Sequence, residues 1–311
     1  MKNKVVTIVG PTAVGKTKLS IEVAKRFDGE IISGDSMQVY KGMDIGTAKI
    51  TTNEMQGVPH HLIDIKDPGE SYSVADFQES VQKYINEIAS RNKLPIIVGG
   101  SGLYIQATLF DYNFANDKRD ETVTKRLEED LKRYGNEVMY NRLRKIDPTQ
   151  ADKIHPNNYR RVIRALEIVE TTGLTMSEYQ KQQAEDSPYD VFLIGLEMDR
   201  PELYDRINKR VDQMVSDGII EEVQDLYKQG YENCQSMKAI GYKEFLPYLK
   251  GESDLQHSIE LLKRNSRRYA KRQYTWFKNK MDVNWYSVSP KTINENFRII
   301  LEDLAGFLKD K

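Results

Sequence analysis

The run Gly10-Pro11-Thr12-Ala13-Val14-Gly15-Lys16-Thr17 fits the pattern G-x-x-x-x-G-K-[ST]. Glycines at these spacings let backbone N–H groups turn toward an anion, and a following helix N-terminus adds positive potential. Lys16 neutralises phosphate charge, and Thr17 has a hydroxyl for an Mg²⁺ ion or a phosphate oxygen. The chemistry is therefore the binding of a polyphosphate or diphosphate; the pattern does not single out ATP. A second reactive group follows in Ile31-Ile32-Ser33-Gly34-Asp35-Ser36. A carboxylate there has three readings: a ligand of Mg²⁺, a general base for an acceptor substrate, or a turn cap.

These residues need a scaffold, and the first hundred residues supply a regular one. Apolar, β-branched runs over 4–10, 30–33, 61–65 and 94–100 read as strands, two of them ending in glycine. Helical spacing follows over 16–27 and 73–91, where Val74, Phe77, Val81, Ile85 and Ile88 recur every three or four residues. Strands without polar alternation, joined by helices, imply a parallel sheet covered on both faces. Asp35 then falls just past the carboxyl end of the second strand, at the sheet edge where ligands of such folds bind. From Tyr112 to Pro188 the patterns are helical, over 125–134, 137–145 and 158–172 with Gly173 as C-cap, and with breaks at Asp147-Pro148 and His155-Pro156-Asn157. Strand character returns over 191–196, helices follow over 201–216, 219–229 and 254–279, and 283–286 reads as a last strand. The expected fold is α/β: a phosphate-loop parallel sheet flanked by helices over 1–111 and 189–311, with an all-helical insertion over 112–188.

Composition narrows the function. The chain has 311 residues, 39% apolar and 30% charged, enough for a sizeable core and too apolar for wholesale disorder. No apolar run approaches the ~20 residues of a membrane span. The N-terminal apolar stretch runs into the glycine loop and reads as a strand, not a signal peptide. Cys234 stands alone, which excludes a disulfide framework or a cysteine metal cluster within one chain. His60 and His61 read as hydrogen-bonded residues at a strand start and not as metal ligands. The expected setting is the cytoplasm, with no membrane and no protein partner implied.

Three runs, GPTAVGKT, then DSMQVYKGMDIGTAK over 35–49, then VGGSGLY over 98–104, closely resemble the tRNA dimethylallyltransferase family. Further matches lie in His155-Pro156-Asn157 with Arg160 and Arg161, in LYDRINKRVD over 203–212, in Ala239-Ile240-Gly241-Tyr242 and in KRQYTW over 271–276. The resemblance spans Val5 to Trp276. It implies transfer of a dimethylallyl group from dimethylallyl diphosphate to N6 of the adenosine 3′ of the anticodon (position 37), in tRNAs reading U-initial codons. Mg²⁺ assists and diphosphate leaves. By the same resemblance Asp35 is the general base, and Thr17 contacts the diphosphate near its leaving oxygen. Lys16 and Arg210 clamp the diphosphate. Asp35, Ser36, Met37, Gln38, Ser101 and the region of Arg160, Arg161 and Arg164 touch the tRNA anticodon stem-loop.

The net charge of −1 hides a local asymmetry. From Lys263 to Lys280 there are eight Lys or Arg and no acid, with Tyr269, Tyr274, Trp276 and Phe277 interleaved. Arg264, Arg267, Arg268, Lys271 and Arg272 follow helical spacing, so one face is basic, and Arg267 and Lys271 become candidate contacts to RNA phosphates. This helix and the insertion distinguish the tRNA reading from an enzyme prenylating free adenine nucleotides. A small-molecule kinase would require an arginine-rich lid, for which there is no obvious segment. A non-enzymatic RNA-binding module would not need Lys16, Thr17 and Asp35 intact.

Overall fold

A computed structural model describes residues 2–114, 120–183 and 186–309. The chain begins with β1 (Lys4–Val9), whose Val-Val-Thr-Ile-Val run is buried throughout. It turns through the glycine loop into α1 (Lys16–Arg26). Next come β2 (Gly29–Gly34), the single turn α2 (Thr52–Met55), β3 (His60–His61), α3 (Val74–Ser90), β4 (Leu94–Gly99) and α4 (Gly102–Leu109). Helices α5 (Glu121–Ile146), α6 (Pro148–Ala151), α7 (Tyr159–Thr172) and α8 (Met176–Lys181) follow, with no strand among the described residues. The chain then continues through β5 (Asp190–Glu197), α9 (Arg200–Ser216), α10 (Ile219–Lys228), α11 (Leu246–Leu249), α12 (Leu255–Lys280), β6 (Asn284–Ser287) and α13 (Ile293–Lys309).

The six strands form one sheet in the order β3-β2-β4-β1-β5-β6, and every pairing is parallel. β1 is central, with Ile8 level with Val98 of β4 and Ile194 of β5. The chain leaves β1 toward β2 on one side and leaves β4 toward β5 on the other. Such a reversal opens a crevice at the carboxyl ends of the strands. Helices cover the sheet, as its unbroken apolar strands require. Leu19 and Val23 of α1, Leu203 and Ile207 of α9, and Phe297, Ile300 and Leu304 of α13 join the sheet residues in one buried cluster.

The chain divides into two compact units, Met1–Leu109 with Pro188–Lys311, and Phe110–Ser187. The second has its own core of Leu127, Met139, Leu143, Val162 and Leu166. Arg142 reaches Glu170 at 2.6 Å, and Arg126 pairs with the same carboxylate. Gly173 ends α7 with φ 75°, as the glycine after the last apolar position predicts.

The structure corrects several expected elements. The strand expected over 61–65 is only His60–His61, because the chain turns away at Leu62 (φ 62°) and Asp64 (φ 55°). The two helices expected over 125–134 and 137–145 are both present within Glu121–Ile146, separated at Gly135, whose φ of 79° and ψ of 170° are not helical. Helices α4 and α13 were not expected. No helix of the described residues is long and apolar enough to cross a membrane.

Both histidines are hydrogen-bonded: His60 Nδ1 lies 2.9 Å from the Val58 carbonyl, and His61 Nε2 lies 2.7 Å from Glu30. Glu30 is 4% exposed in β2 and also accepts from Arg91 Nη2 at 2.7 Å. Burial pushes its carboxyl up, but His61 and Arg91 outweigh this and hold it below the usual carboxylate range. The folded-state pKa is thus the lower one, so this stabilisation is present at neutral pH and lost as pH falls through the carboxylate range. Glu30→Ala is expected to destabilise the fold by about 2 kcal/mol at pH 7. In denaturant titrations the gap to wild type should narrow near pH 3; an equal gap at both pH values would show that packing, not charge, is what was lost.

Candidate active site

The phosphate loop joins β1 to α1 through three unusual backbone conformations: Gly10 at φ 143°, Ala13 at φ 66° and Gly15 at φ 110°. Only glycine fits at position 10, where a Cβ would lie 2.6 Å from the Leu196 carbonyl oxygen. Lys16 folds back over the loop, its Nζ donating to the Gly10 and Pro11 carbonyls at 3.0 and 2.7 Å. Helix α9 lays two arginines against it. Arg206 Nε donates to the Ala13 carbonyl at 2.9 Å, and Arg210 Nη1 donates to Thr12 Oγ1 at 3.3 Å.

Asp35 follows the last residue of β2 and lines the same crevice of about 800 Å³ as Thr12, Ala13, Lys16, Thr17 and Arg210. Its Oδ1 accepts the Met37 N–H at 2.8 Å, which orients the carboxylate. Burial raises its pKa, opposed by backbone N–H groups of Met37 and Gln38 and by the charges of Lys16 and Arg210. The structure therefore brings together the anion loop and the strand-end carboxylate. Ser36 donates its N–H to Ser101 Oγ at 3.2 Å, linking the loops after β2 and β4. Gln38 is held by Ser33 Oγ at 3.0 Å and donates to the Thr47 carbonyl at 3.3 Å, so its amide braces the crevice wall.

The segment after Gln38 forms a further wall. Glu222 of α10 accepts the consecutive N–H groups of Asp44, Ile45 and Gly46 at 2.9, 2.7 and 3.0 Å, and the Tyr242 hydroxyl at 2.6 Å. A Cβ at Gly46 would meet the Tyr242 ring at 2.6 Å. The motifs around Gly46 and Tyr242 are thus two halves of one contact.

Sequence reasoning missed Arg206 and Gln273. The signal for Arg206 was its place one turn before Arg210 on α9. Gln273 is an uncharged amide between Arg272 and Tyr274 in the cationic, aromatic run; it is buried, accepts the Thr12 N–H at 3.0 Å and donates to the Gly100 carbonyl at 3.1 Å.

The basic helix is less uniform than its sequence suggests. Lys263 pairs with Asp212 at 2.7 Å, Lys278 pairs with Glu197 at 2.7 Å, and the half-buried Arg267 donates to Asn208 at 2.5 Å. Arg267 therefore braces α12 against α9, while Arg264, Arg268, Lys271 and Arg272 are exposed with no ion pair among the described residues. In the second unit Arg160 and Arg161 are exposed, but Arg164 lies 3.2 Å from the buried Glu167 and serves that unit's interior.

Thr17 is exposed at the crevice beside Lys16. Among the described residues no three His, Cys, Asp or Glu side chains gather as a metal cage. An Mg²⁺ ion brought with a phosphate ligand would meet the Thr17 hydroxyl there, its other ligands coming from phosphate oxygens and water.

A parallel sheet that sets an anion loop, clamped by arginines, beside a strand-end carboxylate defines a phosphate-loop enzyme with a donor side and an acceptor side. The family profile described as IPP transferase matches residues 38–280. The chain is 60% identical to the tRNA dimethylallyltransferase of Oceanobacillus iheyensis, over 100% of this chain and 99% of that one. Its fold matches the full-length tRNA isopentenylpyrophosphate transferase from Bacillus halodurans with a TM-score of 0.76 and 54% identity, covering 99% and 98% of the two chains. A eukaryotic dimethylallyltransferase acting on tRNA matches with a TM-score of 0.84 and 35% identity, covering 98% of this chain and 80% of that one. The chain belongs to the IPP transferase family.

Burial and the neighbouring Arg210 pull the Lys16 ammonium down to about 7, with Asp35 opposing. A bound diphosphate favours the charged form, so binding takes up a proton above this value and affinity falls as pH rises. Calorimetry with pyrophosphate at pH 8, in two buffers of different ionisation enthalpy, should show uptake of up to about one proton. Lys16→Met should remove that uptake; an identical buffer dependence in both proteins would show that Lys16 is already charged in the free crevice.

Proposed function

We infer that this chain transfers a dimethylallyl group from dimethylallyl diphosphate to N6 of the adenosine on the 3′ side of a tRNA anticodon. The observation that carries the reading is the convergence of Asp35 with the phosphate loop and Arg210 in one crevice, in a chain of this family. The exocyclic amine of adenine is a weak nucleophile because its lone pair is delocalised. As the bond from N6 to the allylic carbon forms and the carbon–oxygen bond to diphosphate breaks, Asp35 accepts the N6 proton. Negative charge builds on the leaving diphosphate, where the loop N–H groups, Lys16 and Arg210 stabilise it. Mg²⁺, when bound, supplies further charge neutralisation to the diphosphate, with Thr17 as its protein ligand. The crevice walls shield the activated allyl group from water. The target base must leave its stack to reach Asp35. The cytoplasm, where tRNA is processed, is the proposed setting.

Incubation with dimethylallyl diphosphate, Mg²⁺ and either tRNA or AMP tests the acceptor class: the prenyl group is expected on tRNA, and transfer to AMP alone would overturn the reading. Asp35→Asn should lower kcat on the order of a hundredfold or more with donor and tRNA binding nearly intact. An unchanged kcat with altered Mg²⁺ dependence would move Asp35 to the metal side. For the exposed basic face, Arg268→Ala with Lys271→Ala should lower the slope of log K against log salt for tRNA binding by roughly one to two, leaving donor affinity unchanged. An unaltered slope would place the RNA path elsewhere.

A further inference from the structure

We propose that Gln273 is a positioning residue that fixes the phosphate loop in its anion-binding shape. The proposal rests on the reading of that loop as a diphosphate site. The Gln273 amide uses both ends: Oε1 takes the Thr12 N–H at 3.0 Å, and Nε2 donates to the Gly100 carbonyl at 3.1 Å. One side chain from α12 therefore ties the loop after β1 to the loop after β4. A neutral side chain with a donor and an acceptor at this reach is an amide; a carboxylate lacks the donor and an ammonium lacks the acceptor.

Thr12 is the residue before the positive-φ turn at Ala13. Gln273 holds its N–H, and Arg210 donates to its hydroxyl at 3.3 Å. On the other side of the turn, Arg206 holds the Ala13 carbonyl at 2.9 Å. An alanine in this region of backbone space is strained, and it persists where surrounding bonds determine it. The N–H groups from Ala13 to Thr17 have no hydrogen-bond partner among the described residues. Gln273 thus takes the N–H immediately before the turn and anchors the loop on that side.

The site has been cleared for this amide. A Cβ on Gly100 would fall 2.0 Å from Gln273 Nε2, against the free end of the side chain, while its nearest backbone contact would be an ordinary 3.5 Å. Gly100→Ala is therefore a second way to dislodge the amide, made from the opposite partner and without touching α12.

The test measures pyrophosphate binding in the presence of Mg²⁺ by calorimetry, together with the KM for dimethylallyl diphosphate and for a tRNA anticodon stem-loop. Gln273→Met keeps length and burial but removes both hydrogen bonds. It should weaken pyrophosphate about tenfold and raise the donor KM alike, with the RNA KM unchanged. Gly100→Ala should do the same in the wild-type background, yet add less than about twofold to Gln273→Ala, since the two act through one contact. Wild-type pyrophosphate affinity in folded Gln273→Met, multiplying effects of Gly100→Ala and Gln273→Ala, or an equal rise in both KM values would each overturn the proposal. Failure of the wild-type protein to bind pyrophosphate would instead overturn the diphosphate reading itself.

Discussion

Lys16, Arg206 and Arg210 converge with Asp35 on one crevice, whose wider lining also carries Asp44, Glu54 and Asp217. Positive charge in such a place is costly unless something offsets it. In the free protein the offset is partial. Lys16 is folded onto two carbonyls and drawn toward neutrality, while Arg206 and Arg210 donate to the loop itself. The same imbalance favours a multiply charged anion over a neutral ligand. The same positive charges, Lys16 and Arg210, oppose the rise that burial imposes on the Asp35 carboxyl. In the proposed function, donor binding and acceptor activation are thus two consequences of one charge arrangement.

Helix α12 serves two sides of that arrangement. Toward the sheet it buries Ala270, Gln273 and Phe277, and toward water it presents Arg268, Lys271 and Arg272. Successive positions alternate between these duties because the helical repeat places residues 270, 273 and 277 on one stripe and 264, 268 and 271 on another. Its charge is also divided: Lys263, Arg267 and Lys278 are engaged within the protein, and the remainder face outward.

Much of the core was legible in the chain itself. Apolar runs such as Val5–Val9 and Ile96–Val98 carry their own strand signal, and the glycine loop announces the turn that follows β1. Asp35 was legible because position after a strand end implies a place at the sheet edge. Elements defined by distant partners were not. β3 pairs with β2 only through His60 and His61 before the chain turns away at Leu62, and α13 earns its burial through Phe297, Ile300 and Leu304 against a sheet formed far away in sequence. Gln273 escaped notice for the same reason, since an amide's role is set by the groups it meets. Arg267 looked equivalent to Lys271 until Asn208 distinguished them.

The close approaches at Gly46, Gly100 and Gly102 admit Tyr242, Gln273 and Trp276, and a Cβ at Gly102 would come within 2.3 Å of the Trp276 ring. Each pair joins positions far apart in the chain. A lineage of such proteins is therefore not free to vary these sites one at a time. A larger residue at 102 becomes tolerable only after 276 has shrunk, and a reversion at 276 is then blocked. The order in which substitutions are made at such a pair therefore decides which of them the fold accepts.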